Sequence, residues 1–250
     1  MQLPKNFPSN LQIKFIESHR IKSIKMQFDC EGALIFKKSK RISMEQCLEF
    51  LKKNMEWVLT HFQAMQEIVF FEDKMYCFGE WQEFNAVCLE LEKAGLMDKF
   101  LKVAKVQCKS IQEYLQCLWV GVLAQERECK KILALLYEEL LKAYIKERLE
   151  EITQAMDLRP NVVVYGKSYR QLGCCYANTQ KIRFSLRLSL MPKECIDSVI
   201  IHELAHLKHQ NHSKEFWSLV EAFDDNPKRL QLWLNQHKEN MRIYYKVFKH

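Results

Sequence analysis

The chain has 250 residues, 48% of them hydrophobic, enough for a substantial buried core without covalent staples. Its ten cysteines are scattered with no CxxC, and Met1-Gln2-Leu3-Pro4-Lys5 lacks a signal peptide's apolar core, so reduced thiols in a cytoplasm are expected. The net charge of +7 is uneven: residues 160–250 hold fourteen Lys and Arg against eight Asp and Glu, a surplus that suits acidic, phosphorylated or nucleic-acid partners as well as a plain solvated surface.

In chain order, residues 11–16, 24–28 and 33–36 cluster or alternate apolar side chains and predict short strands. Ser43 is a good N-cap for a helix reaching about residue 64. Residues 80–92 are helical in pattern, with Lys93-Ala94-Gly95 as the stop. From 110 to 156 Gly and Pro are almost absent, and Ile132, Leu135, Leu136, Leu140 and Tyr144 recur at helical spacing, predicting one long helix or two consecutive ones. The apolar run 117–124 is far short of the roughly 20 residues that cross a bilayer, so no membrane segment is expected.

After Pro160 the period changes. Val162-Val163-Val164-Tyr165 is β-rich, and Ile182, Phe184, Leu186 and Leu188 alternate with Arg183, Ser185 and Arg187, with Ala177-Asn178-Thr179-Gln180 as the turn between two strands. Lys181, Arg183 and Arg187 would share one strand face, suited to an extended peptide paired along the backbone or to phosphates, although any half-buried strand alternates this way. Adjacent strand residues point to opposite faces, so Cys174 and Cys175 are expected as small buried hydrophobes and not as a shared metal site.

Pro192 suits the first turn of a helix that carries Ser198-Val199-Ile200-Ile201 and then His202-Glu203-Leu204-Ala205-His206. Residues four apart share a helix face, so His202 and His206 can turn their imidazoles onto one cation, with Glu203 beside them as a base for its water. His209 lies on that face roughly 10 Å along the axis from His202, too far for one small ion. If the helix ends between 208 and 211, at Gln210-Asn211, the chain can double back and bring in His212; Glu221, Asp224 and Asp225 are the alternatives for the third ligand. Phe216 and Trp217 are expected to pack the following helix on the core, and Tyr244, Tyr245 and Phe248 to form a core edge or a partner surface.

The stretch from His202 to Trp217, HELAHLKHQNHSKEFW, resembles the signature of the YgjP-like metallopeptidase domain, a relative of the SprT and WLM metalloprotease groups. Upstream, Leu172-Gly173-Cys174-Cys175 is similar to the family's Trp-Gly-Ser-Cys-like turn, with Leu in place of Trp. Arg20-Ile21-Lys22-Ser23 and the segment from Phe50 to Trp57 also look family-like, while residues 66–128 resemble nothing in it. The resemblance implies Zn2+ held by His202, His206 and His212, with Glu203 as catalytic acid and base. It implies a peptidase, and nucleotide pyrophosphatase activity on UTP has also been associated with the family.

The whole predicts an α+β fold: N-terminal short β-strands, a helical middle, and a β-hairpin followed by a zincin-like HExxH helix and C-terminal helices. Residues 1–250 read as one domain, with 66–128 a helical insertion and 160–238 the metal-site part. The expected function is a cytoplasmic zinc-dependent hydrolase acting on peptides. Nucleoside triphosphates are the second substrate class; a second cation for them would need a carboxylate cluster, and none is evident in the sequence. A nucleic-acid-associated binding module with a structural zinc is the reading from a different class.

Overall fold

Three short strands near the N-terminus, β1 (Ile13–Glu17), β2 (Lys25–Phe28) and β3 (Leu34–Lys38), form one sheet. β3 lies in the middle, parallel to β1 and antiparallel to β2, and its Leu34 and Phe36 are buried. The computed structural model describes residues 3–19, 22–28, 32–66, 70–98, 100, 110–237 and 239–248, and the chain divides into two units, Met1–Phe70 and Phe71–His250. The family-like Arg20-Ile21 lies outside the described residues.

In the first unit, Ser43 opens α1 (Met44–Lys53) with a capping box: its hydroxyl accepts from the Gln46 N–H, and the Gln46 side chain accepts from the Ser43 N–H at 2.9 Å. The single helix expected here is two helices. Asn54 interrupts it by donating its side-chain amide to the Phe50 carbonyl at 2.7 Å, and α2 (Met55–Gln66) follows. Leu51 and Val58 close the core over Leu34 and Phe36.

The second unit opens with a hairpin, β4 (Lys74–Cys77) and β5 (Glu80–Glu83), whose second strand takes the first residues of the helix expected over 80–92. Its two-residue turn puts Phe78 at φ 48° and Gly79 at φ 91°, the mirror-image geometry that suits strand twist. Gly79 is required for a second reason, since a Cβ there would lie 2.5 Å from the Pro192 ring. The expected helix starts only afterwards, as α3 (Phe84–Lys93). Of the one-or-two alternatives downstream, two helices form: α4 (Ile111–Leu123) and the 30-residue α5 (Arg127–Met156).

The second sheet has the order β6-β8-β7, with β6 (Val162–Gly166) parallel to the central β8 (Lys181–Ser185) and β7 (Gly173–Tyr176) antiparallel to it. Ala177–Thr179 and a left-handed Gln180 make the expected turn. The strand predicted to continue through Leu188 stops at Ser185. Residues Leu186–Leu190 wind into a tight 3-10 turn in which every residue is buried, capped by Ser185 accepting from the Arg187 N–H at 3.1 Å.

Pro192 then starts α6 (Lys193–Lys208), as expected. Its first turns are tied down from two sides: Tyr144 and Arg148 of α5 donate to Asp197 at 2.9 and 3.0 Å, and Lys193 pairs with Glu90 of α3 at 2.7 Å. α7 (Lys214–Glu221), α8 (Arg229–Gln236) and α9 (Glu239–Phe248) complete the chain. Tyr244 and Phe248 are buried, with the Tyr244 hydroxyl donating to the Lys167 carbonyl at 2.7 Å, so this tail is a core edge. The fold is α+β. Among the described residues no helix is long and apolar enough to cross a membrane, and the described cysteines are free.

Candidate metal centre

α6 ends where the spacing of its histidines required. His209 leaves helical geometry at φ −123°, ψ 105°, and Ser213 starts α7 by accepting from the Phe216 N–H at 3.4 Å. The intervening bend carries His212 back to the helix. The ligand atoms of His202, His206 and His212 lie within 4.8 Å of one another, the one such group of three among the described residues. His212 Nε2 faces His202 Nε2 at 3.1 Å.

These residues fit a metal ion. Two imidazole nitrogens on a tetrahedral zinc, each at 2.0–2.1 Å, stand about 3.3 Å apart, close to the His202–His212 separation. His206 Nδ1 lies 3.0 Å from the His209 carbonyl, which assigns the proton to Nδ1 and leaves Nε2 free as a donor atom. Phe216, fully buried, supports all three rings from 4.5 to 4.9 Å. Burial, and then the neighbouring imidazoles, pulls the His202 pKa down to about 4, so this ring is neutral and able to ligate at neutral pH. Burial likewise lowers that of His206.

Glu203 is 6% exposed, and burial pushes its carboxyl up to about 7 against the opposing pull of the Cys175 N–H, which donates to it. The β7 backbone can come this close because residue 173 is glycine: a Cβ there would lie 2.4 Å from Glu203 Oε1. Cys175 is half-buried instead of fully buried, and burial holds its thiol up at about 11, protonated at neutral pH.

Two cavities meet at Gly173, His202 and Glu203. One follows β7 through Cys174, Cys175 and Tyr176 and reaches His206 and His212. The other, about 400 Å³, runs between α6, α7 and α8 past Val199, Val220 and Leu230.

Several sequence expectations change here. β8 has a neighbour on both edges, so Lys181 and Arg183 do not sit on a strand open to a peptide; the edge beside the histidines that has no strand neighbour among the described residues belongs to β7. Arg183 donates to Gln171 at 3.1 Å. Arg187 lies beyond the strand, 9% exposed, with its guanidinium 4.5 Å from the Tyr169 ring centre and donating to the Tyr169 carbonyl, where it packs the fold. Trp217 is 38% exposed and flanks His212 instead of entering the core. Of the alternative third ligands, Asp225 is held by Arg229 at 2.5 Å and Asp224 is buried in the second cavity. Sequence reasoning missed Gly173 and the Cys175 N–H as partners of Glu203. Gly173 sat in plain view in the turn, but only the folded strand shows what it faces.

A family model, YgjP-like, metallopeptidase domain, matches residues 22–237, across both units. No curated protein and no solved structure matches the chain. A metallopeptidase domain implies a divalent metal ion, typically zinc, in agreement with the chemistry of the three imidazoles.

Proposed function

The chain belongs to the YgjP-like metallopeptidase domain family, and on that premise we propose that it is a zinc-dependent peptidase in which His202, His206 and His212 hold the ion and Glu203 is the acid and base. The observation that carries this reading is the convergence of three imidazoles within 4.8 Å beside one buried carboxylate. Zinc bound there supplies Lewis acidity, lowering the pKa of water and polarising the carbonyl under attack. Glu203, oriented by the Cys175 N–H and enclosed by the Gly173 backbone, takes the proton of the attacking water on its carboxylate and returns it to the leaving amine.

Among the described residues the outer edge of β7 has no strand partner; it lies along the same cleft, with the Cys175 N–H turned to Glu203, and supports a peptide as substrate, since an extended chain can lie alongside it. A nucleoside triphosphate finds less here: apart from the three histidines assigned to the metal, Arg170 is the single Lys or Arg among the described residues lining the two cavities, where a triphosphate calls for several cations.

The test is zinc content and hydrolysis of peptides and nucleoside triphosphates by wild type and Glu203→Gln. Retained zinc, with peptide hydrolysis falling roughly 10³-fold, is the expected result. Hydrolysis of triphosphates alone moves the substrate to the nucleotide class, and a Glu203→Gln protein indistinguishable from wild type makes the zinc structural.

A further inference from the structure

The cavity between α6, α7 and α8 has an unusual lining. Its walls are largely apolar, with Leu172, Val199, Val220, Leu230 and Leu234, yet Asp224 also lines it and is only 5% exposed. One oxygen, Oδ1, accepts from the Asn226 N–H at 3.0 Å as a turn cap. The other, Oδ2, is the one buried side-chain N or O atom among the described residues with no hydrogen-bond partner.

Turn capping does not account for this arrangement, because Asn or Ser would cap without placing a charge among aliphatic walls, where an uncompensated carboxylate is costly. The cations nearby do not close the gap. Arg229 is committed to Asp225 at 2.5 Å, and its field reaches Asp224 without a hydrogen bond to Oδ2. Arg170 lines the same cavity, also without bonding Oδ2.

We propose that this cavity is a specificity pocket for a cationic substrate side chain, Lys or Arg, flanking the scissile bond, with Asp224 as its counter-ion. The inference rests on the peptidase reading above. A lysine or arginine side chain pairs an apolar stem with a charged head, matching a largely aliphatic lining that includes one carboxylate beyond Glu203. About 400 Å³ lies within the range of side-chain and small-ligand pockets. The position follows from the lining: His202 and Glu203 belong to this cavity too, so the residue entering it is adjacent to the bond attacked.

The experiment compares peptides that differ only in carrying lysine or its uncharged isostere norleucine, after a degenerate library has located the cleavage site by mass spectrometry. For the zinc-loaded full chain, Lys or Arg is expected at one fixed side of the scissile bond, with kcat/KM at least about tenfold above norleucine. In Asp224→Asn that ratio should fall to about one. Cleavage by wild type without basic preference, or a preference that persists in Asp224→Asn, overturns the pocket while leaving the peptidase reading intact. If no peptide is cleaved, the peptidase reading fails, and binding of Nα-acetyl-lysine methylamide against its norleucine analogue by zinc-loaded Glu203→Gln decides the pocket. Tighter lysine binding that is lost on adding Asp224→Asn supports it, and equal binding overturns it.

Discussion

The two three-stranded sheets of this protein share one plan and differ in what they do with it. In each, the third strand in sequence lies between a parallel first strand and an antiparallel second one, and a helix follows. In the first unit the antiparallel strand meets helix through aromatic contact: Phe28 of β2 stacks on Trp57 and Phe62 of α2 at 5.7 and 6.4 Å. In the second unit the antiparallel strand β7 meets α6 through Gly173 against the Glu203 carboxylate. Strand order therefore supplies no chemistry by itself. A glycine in one strand and a polar turn in one helix convert a cohesive contact into a reactive one.

The strongest way to sharpen the contrast is to remove a ligand. His212→Ala should weaken zinc binding by more than about a hundredfold, read by competition with a chelator, because two imidazoles leave the tetrahedral set half filled. Next, Gly173→Ala should give the second sheet an ordinary residue where the first has one. Its Cβ would collide with Glu203, so kcat should fall about a hundredfold with zinc content unchanged; a fully active alanine protein would break the comparison.

Protonation offers a third test, in metal-free protein. Glu203 titrates near 7 in the fold against 4.5 ordinarily, so folding favours its protonated form. That contribution is complete below about pH 4.5 and is lost as pH rises through about 7. Relative to Glu203→Gln, wild type should lose on the order of 2–3 kcal/mol of unfolding free energy between those limits, measured by urea denaturation. His202, with its pKa depressed by burial, works in the opposite sense and loses stability as pH falls from 6.5 to about 4, but it does so in both proteins and cancels. The smallest effect belongs to the first unit: Phe28→Ala should cost about 1–2 kcal/mol, less than a fully buried ring because Phe28 is half-buried, and should leave zinc stoichiometry untouched.

What the amino-acid pattern revealed in advance was what depends on neighbours along the chain. The four-residue spacing of His202 and His206, the end of α6 near residue 208 and the return of His212 follow from helix rise and from a bend at Gln210-Asn211. Which strand forms the open edge was not legible, because alternation reports a strand's faces and carries no record of its partners. Alternation also misled at Arg187, where a 3-10 turn buries both its apolar and its polar residues. The β4–β5 hairpin was hidden because Glu80-Trp81-Gln82-Glu83 continues without a break into a helical pattern, while the Phe78-Gly79 turn is defined by dihedral angles that only Gly79 hints at.

Two bonds that orient the centre come from the main chain: the Cys175 N–H to Glu203 and the His209 carbonyl to His206. An alanine scan would pass over both, since truncating either side chain leaves the amide or carbonyl in place. A side-chain change at 175 or 209 other than proline therefore keeps the bond that position makes through its main chain, and an ester linkage in place of the Cys175 amide would be needed to expose the first of these contacts.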